Sequence, residues 1–290
     1  MKIKKLFENK KIVLSFEIFP PKKNYPIDTI YKTIEELSEL SPDYISVTYG
    51  ASGTSESHRT LEIASLIKNK YNIESLAHLT CINSSKDKIF NLLEELKNNN
   101  VENILALRGD LPIENKNFPM PHQYKYAVDL IKHIKSFGHF SIGAACYPEG
   151  HIESKNIDNE IIYLKEKIDV GTDYLISQLF FENEHFYSFI NKLEKNNIKI
   201  PVQAGIMPVI NKKQIEKIVF LSGAYLPEKF LKILNTYEDN PKALEDAGIA
   251  YACDQIVDLI TSGVRGIHLY AMNRPKVIKR IISNISSILK

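Results

Sequence analysis

The chain has 290 residues, 44% of them hydrophobic, which supports a substantial core and is an ordinary length for one α/β barrel. Its 37 basic and 35 acidic residues leave a formal charge of +2, so composition gives no case for a nucleic-acid or membrane-surface partner. No apolar run reaches the roughly 18 residues of a membrane span. The basic start has no apolar segment behind it and does not read as a secretory signal. Three scattered cysteines, Cys81, Cys146 and Cys253, fit a reduced cytoplasmic protein with no disulfide framework and no metal site.

In chain order, residues 12–19 read as a buried strand stopped by Pro20-Pro21, since neither proline can donate to a ladder. Near its end stands one carboxylate, Glu17, which needs either water or a partner there. A wet strand end and a functional acid are both open at this point. An amphipathic helix over 27–40 follows, then a strand at 44–49, a Gly-Ala-Ser-Gly loop at 50–53 and a helix over 56–71. The third strand is 74–81, with Ser84 or Ser85 capping a helix to 98. The fourth strand, 102–108, leads into Gly109-Asp110 and a Pro- and Asn-rich functional loop over 111–121, then a helix at 122–137. Strands at 140–147, 173–181 and 198–207 alternate with helices at 157–170 and 182–195. Helical stretches at 211–221, 227–238 and 241–262 precede the eighth strand, 266–272, and a last helix at 275–289. Strict alternation with right-handed crossovers predicts an α/β fold, a (β/α)8 TIM barrel in one domain over 1–290, with extra helices between strands 7 and 8.

Buried parallel strands should be apolar on both faces, and several here are not. Alternation puts Ser15 with Glu17, Ser46 with Thr48, and His78 with Thr80. Strand four ends in Arg108, strand five in Tyr147, strand six carries Gln178, and strand eight carries His268 and Tyr270 with Asn273-Arg274 beyond. These groups gather toward the carboxyl ends of seven strands, where barrel enzymes keep their sites. There is no GxGxxG fingerprint, no GxxxxGK[ST] loop, no HExxH and no GxSxG elbow, so a phosphate-bearing cofactor would be held by barrel loops and helix ends.

Six stretches then occur in a familiar order: Phe16-Glu17-Ile18-Phe19-Pro20-Pro21, Ser46-Val47-Thr48-Tyr49-Gly50, Ala77-His78-Leu79-Thr80-Cys81, Leu107-Arg108-Gly109-Asp110, Ala145-Cys146-Tyr147-Pro148-Glu149 and Asn273-Arg274. With them the chain resembles the methylenetetrahydrofolate reductase family along essentially its whole length, and specifically the catalytic barrel of the bacterial form. It stops where that barrel stops, so no adenosylmethionine-responsive regulatory domain is expected. The resemblance implies non-covalent FAD, NADH or NADPH as co-substrate, and ping-pong reduction of 5,10-methylenetetrahydrofolate to 5-methyltetrahydrofolate for methionine synthesis. It implies Glu17 as the acid that protonates the folate at N10, kept protonated by desolvation among Phe16, Ile18 and Phe19. Asp110 would contact the pterin and stabilise the cation formed. Gln178 would bind either substrate, Gln214 and Arg274 the folate, and Thr48 the nicotinamide. FAD would be held at Tyr49, Ala51, His78, Arg108, Gly109, Asp110, Ala127, Tyr147, His151, Ser154, Glu160 and Lys167, with Arg108, His151 and Lys167 offsetting the diphosphate.

Three positions depart from the family pattern. Ile218 stands where an aromatic packs against substrate, and Tyr163 and Glu166 stand where members carry Asn and Arg near the cofactor's diphosphate. Looser FAD retention is the expectation. The resemblance further implies a cytoplasmic homo-oligomer with small-molecule partners. Rival readings are another barrel enzyme, a lyase or a pterin-dependent transferase using Glu17 and Asp110 as acid and base, or a non-catalytic flavin-binding protein.

Overall fold

The structure, a computed structural model, describes residues 1–289 except 22–25, 50–53, 83, 110–122 and 155–156. Eight parallel strands close in chain order: β1 (Val13–Ile18), β2 (Tyr44–Val47), β3 (Glu74–Thr80), β4 (Asn103–Leu107), β5 (Ser141–Cys146), β6 (Tyr174–Ser177), β7 (Val202–Ile206) and β8 (Gly266–Tyr270). β8 pairs back onto β1, with Ser15 beside His268 and Glu17 beside Tyr270. The outward residues, such as Phe16, Ile18, Val47, Leu79 and Ile142, form one buried layer with the surrounding helices. These include α2 (Asp28–Ser38), α3 (Thr54–Lys70), α4 (Lys86–Asn98), α5 (Ala127–Phe137), α6 (Ile157–Asp169), α7 (Asn183–Lys195) and α11 (Pro275–Ile285). The expected TIM barrel is therefore present, closed and in the expected strand order.

The amino-terminal end is sealed by an element the sequence pattern did not reveal. Helix α1 (Lys4–Asn9) is too short for a helical period to register. It inserts Leu6 and Phe7, with Ile3, against Val13, Tyr44, Leu76, Leu105 and Tyr174 at the starts of the strands. Phe7 and Tyr174 lie 5.7 Å apart, ring to ring. Burying each such side chain is worth about 1.5–3 kcal/mol, so this plug helps to hold the closed barrel. The backbone amide of Ile3 donates to Asn103 Oδ1 at 2.7 Å, which fixes the seat of the helix.

Helices α8 (Lys212–Ser222) and α9 (Glu228–Thr236) form the insertion before α10 (Pro241–Thr261). Helices α7 and α9 explain why β6 is shorter than its apolar run. Phe180 and Phe181 leave the ladder to stack on Phe186 and Phe230, each pair 5.1 Å apart. Their burial comes from helix packing and not from strand pairing. β7 likewise starts only after Pro201, which has no N–H to pair.

Candidate active site

Inside the barrel the side chains form levels. The lowest holds Tyr44, Gln203 and Tyr174, and the uppermost holds Glu17, His78 and Tyr270. Above them opens a cavity of about 370 Å3, within the range of small-molecule sites. Glu17 is the one carboxylate among its described lining residues; the others are aromatic, hydroxyl, imidazole, amide and aliphatic groups with two cations, Arg108 and Lys88.

Glu17 is held from below by a directed series of hydrogen bonds. The Gln203 amide donates to the carbonyls of Val13 (3.2 Å) and Ile267 (3.3 Å) and to Ser15 Oγ (2.9 Å). That fixes its orientation, so its carbonyl oxygen accepts from the Tyr44 hydroxyl. Ser15, accepting from Gln203, has its own proton for His268 Nδ1 at 2.7 Å. With Nδ1 accepting from Ser15, the other ring nitrogen of His268, Nε2, is the donor to Glu17 Oε2 at 3.3 Å. His78 Nε2 lies 3.5 Å from the same oxygen. The end of β1 is also braced: Asn273 accepts from the Phe19 amide at 3.0 Å and donates to its carbonyl at 2.8 Å. Arg59 donates to the Pro21 carbonyl at 2.6 Å.

The acidity of Glu17 differs from the expectation. Burial pushes its pKa up and is the largest influence, but the hydrogen bond to His268 and the charges of His78 and His268 together bring it below the ordinary value. Phe16 and Ile18, taken as its desolvating neighbours, point the other way, into the helix layer. The true neighbours are two imidazoles on other strands.

His78 is itself pushed down to about 4, first by burial and then against the attraction of Glu17, with the His268 charge adding to the fall. Folded His78 therefore stays neutral while an unfolded one takes up a proton near 6.5. The unfolded state binds more protons in that window, so stability is full above pH 6.5 and falls as pH drops toward 4. The expected loss is about 3 kcal/mol. Between pH 7 and 4.5 a His78→Asn variant should lose about 2 kcal/mol less than wild type in urea unfolding. Parallel losses in the two proteins would contradict the assignment.

A sequence model of the methylenetetrahydrofolate reductase family matches residues 2–286. The chain belongs to the methylenetetrahydrofolate reductase family. The 5,10-methylenetetrahydrofolate reductase of Pectobacterium carotovorum is 34% identical over 267 residues, 92% of this chain and 88% of that one. The methylenetetrahydrofolate reductase (NADH) 1 of Arabidopsis thaliana is 33% identical over 99% of this chain, which spans only 50% of the plant protein. Among solved structures, a Clostridium thermocellum protein described as binding two copies of 5-methyl-5,6,7,8-tetrahydrofolic acid superposes with a TM-score of 0.70. It covers 99% of this chain and 98% of its own at 18% identity, a likeness of fold.

Within this reductase-family barrel, the cavity brings together eight of the expected site residues: Glu17, Tyr49, His78, Arg108, Gly109, Tyr147, His151 and Gln178. Tyr147 and His151 meet edge to face at 4.7 Å. Gln178 accepts from the Leu179 amide at 2.9 Å, which leaves its side-chain N–H groups to donate. Asp110 and Ala51 lie outside the described residues. Thr48, Ala127, Ser154, Glu160, Lys167, Gln214 and Arg274 do not line the cavity. Glu160 is buried, Arg274 is exposed at the head of α11, and Gln214 sits in the first turn of α8. Lys167 donates to the Ala145 carbonyl at 2.9 Å from outside the ring of strands. Burial lowers its pKa, against the attraction of Glu160. Arg108 is engaged by Glu153, with bonds of 2.7 and 2.9 Å. Tyr163 and Glu166 are both exposed, and Ile218 packs partly into the insertion. Reading the sequence missed Ser84 and Lys88 in the lining and Gln203 beneath it.

Proposed function

We propose that the chain reduces 5,10-methylenetetrahydrofolate to 5-methyltetrahydrofolate, drawing electrons from NADH or NADPH through non-covalently held FAD, and so supplies methyl groups for methionine synthesis. The observation that carries the reading is Glu17: a braced carboxylate at the floor of the cavity, in a chain of the reductase family. A flavin suits the same cavity. His78 Nε2 is buried without a hydrogen-bond partner on a residue that lines it, and a polar ring atom of the cofactor would satisfy that group. When bound, FAD would accept a hydride from the nicotinamide and pass it to the folate.

The chain's own residues then have three tasks. The folate's bridging carbon is a poor acceptor while its five-membered ring is closed, and a proton on N10 opens the ring to a 5-iminium cation. Both imidazoles approach Oε2 of Glu17, so Oε1 is the oxygen free to deliver that proton. At neutral pH His78 is uncharged and no longer favours the carboxylate. Bound rings would also cover the 18% of the Glu17 side chain still exposed. Both changes move Glu17 toward its protonated form. Gln178 would orient either substrate through its free N–H groups, and Asp110 would balance the cation. Gln214 and Arg274, beyond the lining, would meet the outer part of the folate, and Thr48 the nicotinamide. The same reading makes the protein a cytoplasmic homo-oligomer.

The purified protein should be yellow, or become so with FAD, and should bleach anaerobically with NADH or NADPH. Single-turnover bleaching with each donor gives the preference. A colourless protein that cannot be reconstituted would overturn the proposal.

A further inference from the structure

Two cations stand in the described lining of the cavity, and they differ in what they touch. The Arg108 guanidinium is bound at both ends by Glu153 and donates from Nε to the Gly109 carbonyl at 3.3 Å. Lys88, half-buried in the first turn of α4, has no carboxylate partner among the described residues. A lysine that lines a cavity without an acid beside it is an anion site in waiting, unless it merely extends to solvent.

Ser84 decides between those two readings. It immediately precedes the α4 cap, is only 5% exposed, and lines the same wall. Its hydroxyl makes no hydrogen bond among the described residues. The residue is otherwise buried and lines the cavity, so a ligand in the cavity can meet this hydroxyl. The helix end itself is already occupied. Ser85 Oγ accepts from the Lys88 amide at 3.2 Å, and the Lys86 amide donates to Gln123 at 2.5 Å. Any anion would therefore be met by two side chains, not by bare amides.

Charge balance points to the ligand. A dinucleotide brings a diphosphate, yet the cations expected to offset it are otherwise engaged. Arg108 faces Glu153, Lys167 is bonded to the Ala145 carbonyl outside the cavity, and position 166 carries a glutamate. We propose that Ser84 and Lys88 form a phosphate subsite on the β3–α4 wall of the cavity, which holds a phosphate of a bound dinucleotide. The inference rests on the flavin and nicotinamide reading above.

The test compares wild type with Lys88→Ala, Lys88→Glu and Ser84→Ala, after thermal unfolding has shown the variants folded. FAD and riboflavin are titrated onto flavin-free protein by fluorescence, and KM is measured for NADH and NADPH. Loss of a charge-assisted bond should weaken the phosphate-bearing ligand about ten- to hundredfold in Lys88→Ala. The loss should be larger in Lys88→Glu and smaller in Ser84→Ala. If the phosphate belongs to the flavin, FAD weakens and riboflavin does not. If it belongs to the nicotinamide, KM rises and flavin affinity holds. Wild-type binding of FAD with every variant value within twofold overturns the subsite. Should wild type bind no FAD, the functional reading fails, and calorimetric titration with pyrophosphate still tests the wall. Equal pyrophosphate affinity in wild type and Lys88→Glu overturns it.

Discussion

Replacing Glu17 by Gln should lower folate reduction by about 10²–10⁴-fold while bleaching of the flavin by nicotinamide stays within a few-fold of wild type. The glutamine keeps the shape of the side chain and can still accept from His268 Nε2, which lies 3.3 Å away. It has no acidic proton to place on N10. Hydride transfer from a nicotinamide needs no acid, so the two half-reactions should separate. Stopped-flow absorbance measures each of them alone. A similar loss in both would mean that Glu17 supports the barrel mouth and does no proton chemistry. The raised pKa that an acid needs has to come from bound rings, since the hydrogen bond to His268 and the two imidazoles outweigh burial and hold the carboxyl down. The folate half-reaction should therefore slow as pH rises and bound Glu17 loses its proton, a dependence that the nicotinamide half-reaction lacks.

The largest stability effect is expected from Gln203→Leu. Gln203 is fully buried and serves four partners: Tyr44, Ser15 and the carbonyls of Val13 and Ile267. Leucine nearly fills the space but satisfies none of them. The backbone at Gly266 runs so close that a methyl group there would sit 2.3 Å from Gln203 Cγ, which leaves little room to rearrange. Each orphaned buried group costs about 1–3 kcal/mol, and coupled groups add less than fully, so a loss of roughly 3–5 kcal/mol is expected. Urea unfolding measures it. A loss below about 1 kcal/mol would show that Tyr44 and Ser15 find other partners, and that the series beneath Glu17 is not fixed from Gln203.

The alternation of strands and helices carried the barrel, because each strand is an apolar run long enough to register and each crossover helix has its own stripe. What escaped was local or three-dimensional. Helix α1 has six residues, fewer than two turns. The polar face was recognised on seven strands, but Gln203 on β7 was passed over beside Pro201, although its period matches Gly205 and Met207. The burial of Glu17 was read from its sequence neighbours, which in a strand face the opposite side. Only closure of the sheet brings in His78 from β3 and His268 from β8. Lys88 looks like any lysine on a helix surface until the cavity wall is drawn. The expected residues that do line the cavity lie at strand ends or in the loops just beyond them. Lys167 and Gln214 lie on helices and Arg274 just before one, and their distance from the cavity could not be read from order along the chain.

The most direct test of the account is one turnover of the reduced protein. Flavin-loaded enzyme is bleached anaerobically with one equivalent of nicotinamide, then mixed with 5,10-methylenetetrahydrofolate. The account predicts that the yellow colour returns and that one equivalent of 5-methyltetrahydrofolate forms. Protein that stays bleached, or regains colour without forming the methyl product, would contradict it.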